Sequence, residues 1–191
     1  MRLSVDNVLG GVDVPAFKAA VRGTFMGKYG TSLRHGATEA IDWARAFRLE
    51  GCDPCRVLDI GCGSSIFARA CSVAGHDVTG LDQPGYMHAE LARLMGVKFI
   101  EHKVTTAEPL PNFPPETFDV ITMMHVANHG GSPYYRALAG AAWGVLRPGG
   151  CWWIAFHDVA KGWVTSPLWA EWFDGTITPS GSRVLLLEKK P

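Results

Sequence analysis

The feature that most constrains the fold is a strand that ends in glycines and leads directly into a helix. The run RVLDI at residues 56–60 has the composition of a buried strand, and Gly61-Cys62-Gly63 follows it at once. A helical pattern begins near Ser65. Glycines let the backbone approach a ligand closely, and the first helical turn carries amide donors without a partner inside the helix. The sequence therefore predicts a nucleotide-type binding loop at the end of a buried strand.

From residue 56 onward, the chain alternates strand-like runs with helical patterns, which is typical of a parallel sheet with helices on both faces. Gly75 and Gly96 are predicted to end two of these helices, because glycine readily supplies the left-handed residue that closes a helix. Ser132 is predicted to begin another helix. The predicted strands are 56–60, 76–81, 97–102, 118–124, 151–156 and 183–188, and residues 175–178 are predicted to form the first arm of a hairpin with the last of them. The predicted helices are 13–26, 36–49, 65–74, 84–95 and 132–146.

Composition and charge narrow the class of protein. The chain has 191 residues, of which 47% are hydrophobic and 19% charged, enough for one substantial core. Basic and acidic residues both number 18, whereas proteins that bind nucleic acid through its phosphates normally carry a basic excess. No apolar run approaches the roughly 20 residues that span a bilayer, and no secretory signal is evident. We expect a cytoplasmic protein, monomeric or homodimeric, with no nucleic-acid or membrane partner.

The five cysteines are an odd number scattered along the chain, which favours reduced thiols over a disulfide framework. Cys52 and Cys55 have C-x-x-C spacing, but no second pair completes a zinc site. We therefore predict no metal site.

A second carboxylate lies at the end of the next predicted strand. Asp82 ends the run VTGLD, 21 residues after Gly61. An ionised carboxylate can accept two hydrogen bonds, which suits the ribose hydroxyls of an adenosine-containing cofactor. The alternative is that Asp82 simply caps a helix.

Two cofactor classes fit such a loop. A dinucleotide fingerprint requires a third glycine three positions after the second, where this chain has Ile66. S-adenosylmethionine has no pyrophosphate, and its sulfonium and amino groups suit a nearby carboxylate such as Asp59. The sequence favours S-adenosylmethionine.

The run VLDIGCG at 57–63 resembles the first motif of class I S-adenosylmethionine-dependent methyltransferases. The resemblance continues through GLD at 80–82, TFDVI at 117–121 and LRPGG at 146–150, and covers roughly residues 55–157. It implies a doubly wound, mostly parallel seven-stranded α/β sheet of the Rossmann-like methyltransferase fold, with helices on both faces. It also implies a methyltransferase that releases S-adenosylhomocysteine.

Within a single methyltransferase domain, 1–191, we expect three parts. Residues 1–52 would form an N-terminal helical arm or lid, 55–157 the cofactor-binding core, and 158–191 a C-terminal helix and edge hairpin.

The resemblance assigns cofactor contacts residue by residue. Asp59 and its loop would line the methionine end, Asp82 would hold the ribose and Gln83 would border the adenine. Thr106 stands where many relatives have an aspartate that meets the adenine. The implied cofactor residues are Asp59, Gly61, Cys62, Gly63, Asp82, Gln83, Thr106, Ala107, Met123, Met124 and His125.

The acceptor side is less constrained. A catalytic base is needed only for a protonated acceptor, and His125, His129 and His157 follow strands four and five, where ligands bind in this architecture. Each could instead only satisfy backbone groups. Tyr29, His129 and Trp163 are candidates for contact with the substrate. Methyltransferases that act on the amino groups of adenine or glutamine usually have an Asn or Asp, Pro, Pro, aromatic motif after strand four, and those that act on cytosine carbon have a Pro-Cys pair there. This chain has neither motif, which favours a small-molecule acceptor at oxygen, nitrogen or carbon.

Three alternatives stay open. They are a non-catalytic cofactor-binding subunit or degenerate methyltransferase scaffold, a dinucleotide-dependent oxidoreductase, and an aminopropyl transferase.

Overall fold

The structure is a computed structural model that describes residues 2–24, 27, 32–85, 87–124, 132–156, 158–180 and 183–191, and for residues 132 and 158–161 it describes the backbone alone. The predicted site residues Tyr29, His125, His129 and His157 lie outside these residues. No helix within the described part is both long enough and apolar enough to cross a membrane.

The described strands form the predicted seven-stranded sheet, in the order β3-β2-β1-β4-β5-β7-β6. Its parallel part and the closing antiparallel hairpin confirm the predicted fold class. The strands are β1 (Arg56–Ile60), β2 (Asp77–Asp82), β3 (Lys98–Glu101), β4 (Phe118–Met124), β5 (Leu146–Ala155), β6 (Gly175–Pro179) and β7 (Val184–Lys189).

Helices occupy the segments between the strands and before them. Residues 102–117, which include four prolines, contain no regular element. The helices are α1 (Val5–Val8), α2 (Val14–Val21), α3 (Leu33–Ala46), α4 (Ile66–Ala74), α5 (His88–Met95), α6 (Ser132–Val145) and α7 (Leu168–Trp172), with a 3₁₀ segment at Asp158–Thr165.

The chain divides into two compact units. The first unit comprises Met1–Cys55 and Cys62–Glu101, and the second comprises Arg56–Gly61 and His102–Pro191.

In the first unit, β2 and β3 run parallel, with Asp82 opposite Glu101. Helix α4 ends at Gly75 and α5 ends at Gly96, and both glycines adopt the predicted left-handed conformation. The predicted start of the second helix at Pro84 was wrong, because α5 begins only at His88, after left-handed residues at Gly85 and Met87.

Charged side chains hold the N-terminal segment of the first unit in place through hydrogen bonds. The Arg69 guanidinium donates to the carbonyls of Val8 and Gly10. Glu50 accepts the amide of Leu3 and pairs with Arg45 at 2.6 Å. The hydrogen bond from Arg45, followed by that from Leu3, lowers the pKa of Glu50 below its ordinary value.

In the second unit, β1, β4 and β5 are parallel, and the β6–β7 hairpin adds two antiparallel strands. Strand β5 starts at Leu146 rather than at the predicted residue 151, since Leu146 pairs with Phe118 before a register shift brings Cys151 opposite Val120. Trp152 and Trp153 are buried, as predicted for core residues.

Asp119 on β4 contacts both β1 and β5 near the amino-terminal ends of these parallel strands. One carboxylate oxygen accepts the Arg56 amide, and the other lies 2.8 Å from Nε of Arg147. Asp119 is buried while Arg147 is about half exposed. The carboxylate therefore links the start of β1 to the early part of β5 through β4.

Candidate functional site

The first-unit part of the glycine loop follows the end of β2 closely. The Cys62 amide donates to the Leu81 carbonyl at 3.1 Å. The Cys62 side chain lies against Gly80, where an added Cβ would come within 2.9 Å of Sγ. Gly63 and Ser65 both have positive φ, 53° and 58°, so the loop turns sharply before α4. A residue without a side chain at position 80 allows this close approach.

Asp82 ends β2 and contacts the loop directly. The Gly63 amide donates to Oδ2 at 2.8 Å, and the Gln83 amide donates to Oδ1 at 2.8 Å. The Asp82 side chain is 14% exposed. Its suggested role as a helix cap is not what the structure has, because Met87 occupies the N-cap position of α5. The carboxylate is thus held at the rim of the loop with part of its surface open.

Sequence reasoning missed His88, which contacts both Gly63 and Asp82. Its Nδ1 lies 3.0 Å from the Gly63 carbonyl oxygen, and its Nε2 lies 3.5 Å from Oδ1 of Asp82. The ring is 5% exposed. In the sequence His88 falls inside the predicted helix 84–95, and no local pattern marks it as a partner of Asp82.

Helix α4 begins directly after the loop, so its first turn offers backbone amide donors. Ser65 occupies the N-cap position, and it makes no side-chain capping hydrogen bond among the described residues. Backbone donors at a helix start, together with a carboxylate at the neighbouring strand end, form a donor and acceptor set that suits an adenosine cofactor with a zwitterionic tail. These residues therefore fit S-adenosylmethionine.

In the second unit, Asp59 precedes Gly61 on β1 and is 1% exposed. The Thr122 hydroxyl on β4 donates to Oδ1 of Asp59 at 2.8 Å. Thr122 was also missed by sequence reasoning, because the contact depends on the register that places Asp59 opposite Thr122. Gly61 has φ of 74°, which glycine adopts without strain.

Met123 and Met124 end β4. Met123 lies opposite Ile60 of β1, and Met124 lies opposite Ala155 of β5. Met123 is completely buried, whereas Met124 is partly exposed. Their predicted contact with the methyl donor stays a prediction.

Thr106 and Ala107 form the exposed tip of a turn closed by hydrogen bonds between Thr105 and Glu108. Thr106 also lines an open groove of about 710 Å³. Most of its lining residues are apolar or small, with one basic and one acidic residue among them. Its lining is Thr106, Pro109, Pro133, Arg136, Ala137, Gly140, Ala141, Leu168, Glu171 and Trp172.

Trp163 belongs to an aromatic cluster of the second unit. Its ring centroid lies 4.6 Å from that of Tyr135, and its carbonyl accepts the Trp169 indole N–H at 2.7 Å. Burial, and then the neighbouring Tyr134, raise the pKa of Tyr135 far above its ordinary value. The predicted contact of Trp163 with substrate stays a prediction.

The C-x-x-C pair surrounds a buried histidine. Nδ1 of His76 accepts the Cys55 amide at 3.2 Å, and Nε2 lies 2.6 Å from the Leu49 carbonyl oxygen. Both ring nitrogens thus contact the backbone. Across the described part of the chain, no group of three or more His, Cys, Asp or Glu side chains is arranged to hold a metal ion.

Comparison with known proteins identifies the family. The sheet order and the loop at the end of β1 define a Rossmann-like protein of the doubly wound class. A family model described as "Methyltransferase domain" matches residues 58–154, half of the chain. The chain therefore belongs to this family, the class I S-adenosylmethionine-dependent methyltransferases.

Curated relatives share the central part of the chain. A ubiquinone biosynthesis O-methyltransferase of Pseudomonas putida is 35% identical over 97 residues, which are 50% of this chain and 41% of the relative. One of the same name from Bordetella bronchiseptica is 35% identical over 109 residues, which are 56% of this chain and 43% of the relative. The match thus spans less than half the length of these relatives.

Solved structures share the fold at low identity. A TehB-like S-adenosylmethionine-dependent methyltransferase from Corynebacterium glutamicum has a TM-score of 0.64 and 20% identity, covering 86% of this chain and 97% of that one. A methyltransferase from Mesorhizobium loti has a TM-score of 0.60 and 15% identity, covering 80% and 98%. At such identities the likeness concerns the fold alone.

Proposed function

We propose that this protein transfers the methyl group of S-adenosylmethionine to a small-molecule acceptor. The observation that carries the proposal is the pair of hydrogen bonds by which Asp82 accepts the amides of Gly63 and Gln83. They hold a carboxylate beside a glycine loop, at the position where this family's motif has its ribose-binding acid. Cytoplasmic action is part of the proposal and rests on composition.

The proposed cofactor contacts follow the motifs of the family. Asp82 would accept ribose hydroxyls, and Gln83 would border the adenine. Asp59, Gly61, Cys62 and Gly63 would line the methionine end, where the Asp59 carboxylate attracts the amino and sulfonium groups. Thr106, Ala107, Met123, Met124 and His125 complete the proposed cofactor residues.

The acceptor chemistry needs alignment and exclusion of water more than covalent help, because the sulfonium supplies an already activated methyl carbon. The curated relatives are named O-methyltransferases, so hydroxyl compounds are the first acceptor class to test. A hydroxyl must lose its proton, and His125, His129 and His157 are the proposed acceptors of it. Tyr29, His129 and Trp163 are proposed to contact the substrate.

Calorimetric titration with S-adenosylmethionine and S-adenosylhomocysteine tests the cofactor assignment. Asp82→Ala should weaken both by roughly 10- to 100-fold, since it removes hydrogen bonds to a charged group. Asp77→Ala is the matched control, because Asp77 begins the same strand and pairs with Lys98 on the surface. It should leave the affinity unchanged.

If the unmutated protein gives no heat of binding with either compound, the proposed function is wrong. Equal loss in the Asp82→Ala and Asp77→Ala variants would point to a general effect on β2 and contradict the assigned role of Asp82.

A second experiment separates an enzyme from a non-catalytic subunit. The protein is incubated with S-adenosylmethionine and sets of phenols, amines and activated carbon acids, and formation of S-adenosylhomocysteine is measured. Turnover with one set identifies the acceptor atom. Single substitutions of the three histidines by alanine then show whether one acts as a base, because loss of the base lowers kcat and removes one limb of the pH profile. Binding without turnover on any set supports the non-catalytic alternative.

A further inference from the structure

His88, Gly63 and Asp82 contact one another in a closed cycle. The Gly63 amide donates to Oδ2 of Asp82 at 2.8 Å. The Gly63 carbonyl lies 3.0 Å from Nδ1 of His88, and Nε2 of the same ring lies 3.5 Å from Oδ1 of Asp82. Three residues thus fix one another, and both ends of the Gly63 residue are engaged.

The chemistry of the partners assigns roles to the ring nitrogens. A carbonyl oxygen only accepts hydrogen bonds, so Nδ1 of His88 must donate to Gly63. Nε2 of the same ring lies 3.5 Å from Oδ1 of Asp82. The loop and the end of β2 therefore orient the ring together.

These contacts also determine which oxygen of Asp82 is open. An ionised carboxylate has about four positions that can accept hydrogen bonds. Within the described residues, Oδ1 contacts the Gln83 amide and His88, whereas Oδ2 contacts only the Gly63 amide. The remaining acceptor capacity is therefore concentrated on Oδ2.

We propose that His88 is the positioning residue that orients Asp82 for the ribose of the cofactor and directs the ribose to Oδ2. This inference rests on the proposed function, because it takes an adenosine cofactor as the ligand. His88 does not touch the reacting atoms and acts through Asp82 and Gly63. The local backbone supports a dedicated role, since Met87 keeps a left-handed conformation at φ of 53° immediately before His88. Such a conformation is unfavourable for a residue with a side chain.

Two conservative substitutions separate the two contacts of the ring. The amide nitrogen of His88→Asn lies close to the position of Nδ1 and can keep the bond to Gly63. The longer His88→Gln places its amide nitrogen near the position of Nε2 and can keep the contact with Asp82. We expect His88→Asn to weaken S-adenosylhomocysteine binding roughly 5- to 10-fold, because it loses the contact of Nε2 with Asp82, and His88→Gln to remain within about threefold of the unmutated protein.

The control variant is Glu90→Gln on the same helix, where Glu90 pairs with Arg93 on the surface. It should bind as the unmutated protein does. A double-mutant cycle supplies the readout that a merely structural role would not produce. In the Asp82→Ala background, His88→Asn should cause no further loss of affinity, because the residue acts through that carboxylate.

Additive losses in the double variant, or equal affinities of the unmutated and His88→Asn proteins, would overturn the inference. Hydrogen exchange of the ligand-free proteins gives a test that needs no cofactor. The amides of Gly63 and Gln83 should exchange faster in His88→Asn than in Glu90→Gln, while unchanged exchange contradicts the positioning role. If the unmutated protein binds neither S-adenosylmethionine nor S-adenosylhomocysteine, the proposed function fails, and with it the ribose as ligand, while exchange still decides whether His88 orders the loop.

Discussion

The hydroxyl of Thr122 donates to Oδ1 of Asp59 across two neighbouring parallel strands, at 2.8 Å and with both residues essentially inaccessible to water. A buried carboxyl group needs such partners, because loss of hydration is costly unless hydrogen bonds replace it. The threonine therefore stabilises the acid that precedes the glycine loop.

Thr122→Val should lower the free energy of unfolding by about 1–3 kcal/mol, because it keeps the shape of the side chain and removes one hydrogen bond to the buried Asp59. Thr122→Ser keeps the hydroxyl and should recover most of the stability in urea unfolding. If Thr122→Val is as stable as the unmutated protein, this hydrogen bond does not stabilise Asp59.

Gly80→Ala should be destabilising because its Cβ would lie 2.9 Å from Sγ of Cys62. We expect a loss of about 1–3 kcal/mol, as for other overpacked positions, together with weaker S-adenosylhomocysteine binding. Adding Cys62→Ala removes the sulfur and should restore part of both. A double variant no better than Gly80→Ala alone would show that the sulfur is not the obstacle.

The sequence predicts the elements around the loop well, because their signals are local. Strand β1 matches its predicted bounds, and the helix ends at Gly75 and Gly96 follow from the left-handed conformation that glycine allows. The start of α5 was predicted four residues early, at Pro84, because proline suits a first helical turn but here stands in a turn with Gly85.

The contacts that orient the candidate site could not be predicted from local pattern. Thr122 is 63 residues from Asp59, and His88 is 25 residues from Gly63, so each pairing depends on strand register or on the path of a loop. A threonine in an apolar strand and a histidine near a helix start are common, and neither carries a signal of its partner. Strand register and loop path are products of the whole fold.

Ser65 allows a test of backbone strain in the loop. It is completely buried, and its φ of 58° lies in the left-handed region that residues with side chains disfavour. Ser65→Gly should stay within about 1 kcal/mol of the unmutated protein, because relief of this strain offsets the greater flexibility of the unfolded chain. Ser65→Val should lose more than about 2 kcal/mol, since a β-branched residue fits this conformation poorly. Thermal and urea unfolding measure both; equal stability of the two variants would contradict the strain.

Asp119 should matter for stability far more than its partner Arg147. Asp119→Ala leaves the Arg56 amide without the carboxylate and should lower the free energy of unfolding by about 2–3 kcal/mol. Arg147→Ala removes a half-exposed partner and should cost less than about 1 kcal/mol. Chemical denaturation of the two variants provides the comparison. Similar losses in both would show that the ion pair, rather than the backbone contact, is the main contribution.

Because of Glu50, the stability of the N-terminal segment should fall as the pH becomes acidic. Its pKa is lowered, first by the hydrogen bond from Arg45 and then by that from the Leu3 amide, from an ordinary value of 4.5. A lowered pKa means that the folded state favours the ionised form. The contribution of Glu50 is therefore fully present above about pH 4.5 and is lost as the pH falls through the lower folded value.

Glu50→Gln should consequently be less stable than the unmutated protein near neutrality, and the difference should shrink as the pH falls below about 4.5. Unfolding free energies measured by urea at a series of pH values test this. Arg45→Gln should reproduce the change, because Arg45 is the main cause of the lowered pKa. A difference between the unmutated and Glu50→Gln proteins that is constant with pH would mean that Glu50 acts only through the neutral hydrogen bond to Leu3, and not through its charge.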